Sequence, residues 1–265
     1  MIAFSSIRGV LFDMDGVLYR GQQALGGVGE LLAFLDERGV GYACVTNNAS
    51  MTPAQYEAKL AAMGVAMPAS RVVTSAIATG HHLRGAYPRG TRVFIVGMDG
   101  LREALLADGH FVEDDRRPEV VVQGADFALT YETLRRACLF IRGGAAFVAT
   151  NPDRTFPSEE GLIPGAGAIT AALVAATDVE PLVIGKPAPT MLRVAAAAIG
   201  AEPAATLVIG DRLDTDIAGA VAAGMPSALV LTGVSQRAEA EAGPVRPTAI
   251  FQDLPELLGA WRAAV

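Results

Sequence analysis

The chain has 265 residues, 51% hydrophobic and 18% charged, and 21 basic against 28 acidic residues leave a net charge of −7. That length and apolar surplus predict one large globular domain or two modest ones. The acidic balance excludes the continuous basic face on which a nucleic-acid polymer or an anionic membrane would bind.

Short β-branched runs alternate with alanine-rich stretches, the pattern of βα units around mainly parallel sheets, so the expected class is α/β. The first strand is expected over Ile7 to Phe12, and the residues ahead of it are not expected to act as an export signal. A helix follows over Gly27 to Arg38, a strand over Gly41 to Thr46, and a helix over Pro53 to Met63 with Thr52 as its N-cap. Val72 and Val73 lead into a helix near His81, and from about Ala86 the pattern restarts. That middle section carries strands Arg92 to Val96, Val120 to Gln123 and Ala146 to Ala149, with helices near Leu101 to Ala107 and Glu132 to Ile141, enough for a small sheet of its own. After a helix over Ala168 to Ala176 come strands Leu182 to Ile184, Thr206 to Ile209 and Ser227 to Leu231. The uncharged stretch Ile217 to Gln236 is long enough to span a membrane, but Gly219, Gly224, Pro226 and Gly233 divide it into helix, turn and buried strand. Cys44 and Cys138 lack CxxC spacing, and His81, His82 and His110 lack ligand spacing. Neither a disulfide framework nor a zinc site is expected, and a reducing cytoplasm is the natural setting.

The chemistry gathers at strand ends, where open α/β sheets bind ligands. Asp13-Met14-Asp15-Gly16 closes the first strand, and residues two apart share a face while the chain stays extended, so both carboxylates can address one ligand. Gly210-Asp211-Arg212-Leu213-Asp214-Thr215-Asp216 closes a later strand and opens a helix. Helix capping alone would account for Asp214 there. Converging carboxylates require a cation or a proton between them, and hard oxygen donors suit magnesium. Thr46-Asn47-Asn48 offers a hydroxyl, amides and backbone N–H groups for an anion, although such residues are common in any loop. Lys186, between Gly185 and Pro187, adds a cation at a fourth strand end. Together these groups match in-line transfer of a metal-bound phosphoryl group to a carboxylate.

DMDGVLY, VTNNAS, VIGKP and VIGDRLDTDIAGA, in that order, resemble the four motifs of the haloacid dehalogenase superfamily, and more narrowly its NagD-like or 4-nitrophenylphosphatase branch. The resemblance extends over essentially the whole chain, including ATNPD at 149–153 and PGAGAI at 164–169. It implies a doubly wound catalytic core, residues 1–85 plus 181–265, with a smaller α/β cap inserted over 86–180. It implies Asp13 as nucleophile and magnesium ligand, forming an aspartyl phosphate. Asp15 would be the proton donor and acceptor, with its backbone carbonyl on the metal. Gly16, Thr46, Asn47 and Asn48 would hold the phosphate, and Lys186 would offset charge between phosphate and nucleophile. Asp211 and Asp216 would complete the metal site, Asp216 directly or through water. The substrate would be a small phosphorylated metabolite, such as glycerol phosphate, phosphoglycolate, a nucleoside monophosphate or pyridoxal phosphate, with 4-nitrophenyl phosphate as an artificial one.

The motifs do not choose among these substrates. Asn151 to Pro164 is the expected specificity loop of the cap, with Arg154 for a substrate carboxylate and Phe156 for a carbon skeleton or base. The resemblance also suggests a homodimer through the cap, but no interface patch is legible. A dehalogenase would not need Asp15, and a receiver-like signalling module would be about half this length. A non-catalytic phosphometabolite-binding protein would not need the Asp13 and Asp15 pair.

Overall fold

The computed structural model describes residues 2–158 and 160–265. The chain runs through β1 (Gly9–Phe12), β2 (Tyr19–Arg20), β3 (Gln23–Ala24), α1 (Val28–Glu37), β4 (Gly41–Thr46), α2 (Pro53–Ala62), β5 (Val72–Thr74) and α3 (Ser75–Ala86). The middle section follows with β6 (Arg92–Val96), α4 (Asp99–Leu106), β7 (Val112–Glu113), β8 (Val120–Gln123), α5 (Tyr131–Arg142) and β9 (Ala146–Ala149). Next come β10 (Thr155–Ser158), β11 (Gly161–Pro164), α6 (Ala166–Thr177) and β12 (Leu182–Val183). The last stretch holds α7 (Thr190–Ala198), β13 (Thr206–Gly210), α8 (Ala218–Ala223), β14 (Ser227–Val230), α9 (Arg237–Ala242), β15 (Ala249–Phe251) and α10 (Leu254–Ala263). Among the described residues, no helix is long and apolar enough to cross a membrane.

Two compact units emerge. The first comprises the chain up to Thr46, Ala54–Val73 and Lys186–Val265. Its six-stranded sheet has the order β15-β14-β13-β1-β4-β5, with β1 parallel to both β13 and β4. Every residue of β1, β13 and β14 is buried, as a parallel sheet covered on both faces requires, and these strands accordingly read as unbroken apolar runs. From β1 the sheet grows toward β4 on one side and toward β13 on the other, making the ends of these three strands the switch point where such sheets take ligands. Trp261 of α10 is buried, stacking on Phe4 at 4.9 Å between ring centroids and meeting the Phe34 ring edge-on at 5.8 Å.

The second unit comprises Asn47–Pro53 and Thr74–Gly185. Its five-stranded sheet has the order β12-β9-β8-β6-β7, parallel throughout. Phe94, Val96 and Val121 of that sheet pack with Ala137 and Ile141 of α5 and with Ile169 and Leu173 of α6. The division differs from the expected borders after residues 85 and 180, for physical reasons. Helix α3 joins the second unit because Gly80 lies so close to α4 that a Cβ there would come within 2.7 Å of the Ala104 carbonyl oxygen. Strand β12 joins it because Leu182 and Val183 pair with Val148 and Ala149 of β9. Residues 47–53 join it through the Gly100 N–H, which donates to the Ser50 carbonyl at 3.1 Å. The expected loop over Asn151 to Pro164 contains an antiparallel hairpin instead, Thr155 opposite Pro164 and Ser158 opposite Gly161. Its two prolines are tolerated because a two-stranded sheet consists only of edges.

Candidate active site

Strand β1 does not stop abruptly at Phe12. The Asp13 N–H still donates to the Ile209 carbonyl of β13 at 2.8 Å, which fixes the Asp13 backbone at the sheet end. Phe12 lies opposite Ile209, one residue before Gly210 ends β13, so Asp13 and Asp211 leave neighbouring strands on the same edge. On the other side of β1, Thr46 is buried as the last residue of β4.

Lys186 reaches the same edge. Its Nζ donates to Asp13 Oδ1 at 2.5 Å, to Asp216 Oδ1 at 2.6 Å and to the Val45 carbonyl at 3.4 Å. The lysine side chain is 2% exposed, that of Asp216 1%, and that of Asp13 15%, so the pair opens to solvent only on the Asp13 side. Asp216 lies on a widened, π-helical turn over Leu213–Ile217, and the Ile217 N–H reaches back five residues to the Arg212 carbonyl at 3.1 Å. That extra residue in the turn is the kind of irregularity found at functional positions. Asp216 Oδ2 accepts from the Asp211 and Arg212 N–H groups at 3.2 and 3.1 Å, so both of its oxygens are engaged. Asp214, by contrast, faces outward and pairs with Arg212 at 2.8 Å.

Asp211 Oδ2 accepts from the Val234 N–H at 2.7 Å. The segment carrying Val234 can approach because residue 233 is glycine, where a Cβ would overlap the Asp211 carboxylate. Thr232-Gly233 after a buried strand repeats the strand-end signal of the other motifs, whereas in the sequence Gly233 marks only a division of the uncharged stretch. Gly16 has φ of 78°, donates its N–H to the Tyr19 carbonyl at 2.8 Å and accepts from the Thr232 hydroxyl at 2.6 Å. Its amide and carbonyl thus both hold the turn that follows Asp15. Asp15 is exposed, with Tyr19 and Lys59 as neighbours that no spacing in the sequence indicates.

The remaining expected residues lie in the second unit. The Asn47 carbonyl accepts from the Ser75 hydroxyl at 2.5 Å and from Asn151 Nδ2 at 2.6 Å, while Asn47 Nδ2 donates to Asp153 Oδ1 at 3.3 Å. Asn48 Oδ1 accepts from the Ser50 N–H and hydroxyl at 2.8 and 2.7 Å, a local turn that commits that oxygen. Arg154 is exposed just before β10, and the Phe156 ring lies 5.4 Å from that of Phe127. A cavity of about 570 Å³ in this unit, lined by residues including Arg102, Glu113 and Arg136, contains none of the acidic cluster, so the chemistry does not follow the cavity.

Residues 10–110 match the haloacid dehalogenase-like hydrolase family, and residues 183–257 match the related HAD-hydrolase-like family. A dihydroxyacetone phosphatase of Corynebacterium glutamicum is 39% identical over 251 residues, 95% of this chain and 90% of that protein. The crystal structure of a 4-nitrophenylphosphatase from Thermotoga maritima superposes with a TM-score of 0.93 at 37% identity, covering 98% of this chain and all of that one. A glycerol phosphate phosphatase from Mycobacterium tuberculosis, in complex with magnesium, gives a TM-score of 0.89 at 42% identity over 96% of this chain and 77% of its own.

The chain belongs to the haloacid dehalogenase-like hydrolases. Within that family it is a phosphatase of the NagD-like, 4-nitrophenylphosphatase branch, acting on small phosphorylated substrates.

In this haloacid dehalogenase-like phosphatase, three carboxylates gather around one buried ammonium that contacts only two of them, and the imbalance shows in the proton affinities of Asp13 and Asp211. Burial raises the Asp13 carboxyl well above its ordinary range, and Asp216 and Asp211 add to that against the pull of Lys186. Burial, followed by the charge of Asp216, pushes Asp211 up to about 6. Burial alone would depress Lys186, but Asp13 and Asp216 outweigh it and hold the ammonium more firmly than in water. Asp211 Oδ1 is buried without a hydrogen-bond partner among the described residues, and oxygens of Asp13, Asp211 and Asp216 lie within 4.8 Å of one another. An orphaned carboxylate oxygen in an all-oxygen, over-acidic cluster fits a small divalent cation.

Proposed function

We propose that this chain is a magnesium-dependent phosphomonoesterase that works through an aspartyl phosphate on Asp13. The orphaned Oδ1 of Asp211, beside Asp13 and Asp216, is the observation that carries this reading. Asp13 and Asp211 would hold the metal with the Asp15 carbonyl. Asp216, with one oxygen on Lys186 and the other on two amides, would hold that arrangement in place. When bound, magnesium supplies the positive charge that lets a dianionic phosphate approach a carboxylate.

The Asp13 carboxylate attacks phosphorus in line as the bond to the leaving oxygen breaks. Asp15 gives that oxygen its proton. Asp15 then takes a proton from the water that cleaves the aspartyl phosphate, which restores Asp13 and releases inorganic phosphate. Lys186 keeps the Asp13 oxygen oriented and offsets charge. Thr46, Asn47 and Asn48 are assigned to the phosphate. The first unit is the catalytic core in this reading and the second unit is the cap. A cytoplasmic setting belongs to the same reading and is supported by two free cysteines, Cys44 and Cys138.

The test is phosphate release combined with thermal melting. Magnesium at 100 times its Kd should stabilise the protein by about 2.7 kcal/mol, raising the midpoint by roughly 5–10 °C, and should switch on hydrolysis. Asp211→Asn should lose both effects, and a variant that keeps the full shift would remove Asp211 from the metal site. The shift should also fade as pH falls through about 6. A carboxyl whose folded-state pKa is raised stabilises the metal-free protein below its ordinary value of 3.8 and loses that contribution as pH rises through the folded value. Acid therefore does for the metal-free protein part of what the metal does at neutrality.

Three-carbon phosphate esters lead the candidate substrates, supported by relatives that act on dihydroxyacetone and glycerol phosphates. The β10–β11 hairpin is assigned to leaving-group selection through Arg154 and Phe156. Arg154→Ala and Phe156→Ala should change the ratio of kcat/KM between glycerol phosphate and a nucleoside monophosphate by about tenfold or more. An unchanged ratio would take the hairpin out of substrate selection.

A further inference from the structure

The turn after Asp15 contains the residue type with the widest choice of backbone shapes, so a carbonyl there needs outside support to serve as a metal ligand. Gly16 sits at φ of 78°, a region glycine enters without steric cost, and two planar peptides meet at it. The Asp15–Gly16 peptide is fixed from within the turn, because the Gly16 N–H donates to the Tyr19 carbonyl at 2.8 Å. A trans peptide points its N–H and its carbonyl in opposite directions, so that bond also sets the direction of the Asp15 carbonyl. The Gly16–Val17 peptide is fixed from another part of the chain, by the half-buried Thr232, whose hydroxyl donates to the Gly16 carbonyl at 2.6 Å. Arg20 of β2 donates in turn to the Thr232 carbonyl. The loop that carries Thr232 also grips Asp211. The Val234 N–H donates to Asp211 Oδ2 at 2.7 Å, the Ser235 N–H to the Asp211 carbonyl at 3.0 Å, and the Ser235 hydroxyl accepts from the Leu213 N–H at 3.0 Å. Turn, carboxylate and loop close on one point: a Cβ on Gly16 would come within 2.7 Å of Asp211 Oδ2 and 3.0 Å of the Gly233 Cα.

We propose that Thr232 is a positioning residue for the metal site: its hydroxyl pins the Gly16 peptide while its own loop holds Asp211, so the Asp15 carbonyl and the Asp211 carboxylate keep one fixed separation before a cation arrives. Thr232 is not itself a ligand, and its contribution is preorganisation. This inference rests on the reading of Asp15 and Asp211 as residues that hold the metal.

Metal affinity separates positioning from a merely structural role. The full chain is titrated with magnesium alone in a calorimeter, and each metal-free variant is melted alongside. Thr232→Val keeps the branched shape but loses the hydroxyl, leaving the Gly16 carbonyl without its donor, and the magnesium Kd should rise by about tenfold or more. Thr232→Ser keeps the hydroxyl and should stay within about threefold of wild type. Thr232→Ala, which removes the hydroxyl and leaves room for water, serves where Thr232→Val does not fold. A merely structural residue would lower the melting temperature and leave the Kd where it was. An unchanged Kd in the variant lacking the hydroxyl would therefore overturn the proposal, as would a Kd for Thr232→Ser as weak as that for Thr232→Val. Asp211→Asn runs beside them. Loss of magnesium binding in Asp211→Asn with an unchanged Kd in Thr232→Val defeats the positioning role alone. Wild-type binding in Asp211→Asn defeats the metal assignment of Asp211 and the positioning role together.

Discussion

Lys186→Met is expected to lower the stability of the metal-free protein at neutral pH by about 3–5 kcal/mol, the usual result of removing one partner of a buried ion pair. The side chain is 2% exposed and bridges Asp13 and Asp216, so methionine fills much of its volume but leaves two carboxylates facing each other without a counter-charge. At this chain length the loss corresponds to a fall in melting temperature of roughly 6–20 °C. Part of it should return as pH is lowered, because protonation removes the uncompensated charge. A variant melting within about 2 °C of wild type would show that the carboxylates are not kept charged in the metal-free protein.

Asp13→Asn is expected to have the opposite profile. Turnover should fall by at least about a thousandfold, some 4 kcal/mol of barrier, because an amide neither attacks phosphorus nor retains a phosphoryl group. Stability should hold or increase. Burial and the nearby Asp216 and Asp211 charges already disfavour the ionised Asp13 carboxyl, and Lys186 keeps Asp216 as a partner after the change. Two neighbours in one ion pair are thus predicted to part when melted, one variant losing stability and the other keeping it. Retention of a tenth or more of wild-type turnover, or a melting loss matching that of Lys186→Met, would contradict the assignment of Asp13 as nucleophile.

The strand ends were legible because a parallel strand covered on both faces shows as an uninterrupted apolar run, and β1 and β13 each break off into acid. The same logic located β4, β6, β8 and β9 with their observed borders. It failed where tertiary contacts make the element. Strands β2 and β3 are two residues each, too short for any period, and they exist because the chain doubles back after Asp15. Pro157 and Pro164 hide β10 and β11 from any strand reading. No residue pattern marks the π-helical turn that turns Asp216 inward while Asp214 faces solvent. Lys59 and Tyr19 are 40 positions apart in the numbering and meet only through packing. The unit borders shifted for a similar reason, since α3 is drawn to α4 by a close approach at Gly80 that its own sequence does not announce.

The central strand has a long wait for one of its neighbours during synthesis. Strand β4 follows β1 closely and can cover one of its edges early, but the other edge pairs Gly9 with Thr206. A ribosome adding ~5–20 residues per second needs roughly 10–40 s to cover that distance of about 200 residues. Throughout that interval Val10, Leu11 and Phe12 present open backbone groups and apolar side chains to whatever is nearby. Among the described strands, the one that leads into Asp13 therefore waits longest for a pairing partner, and it is the one a holding chaperone would protect.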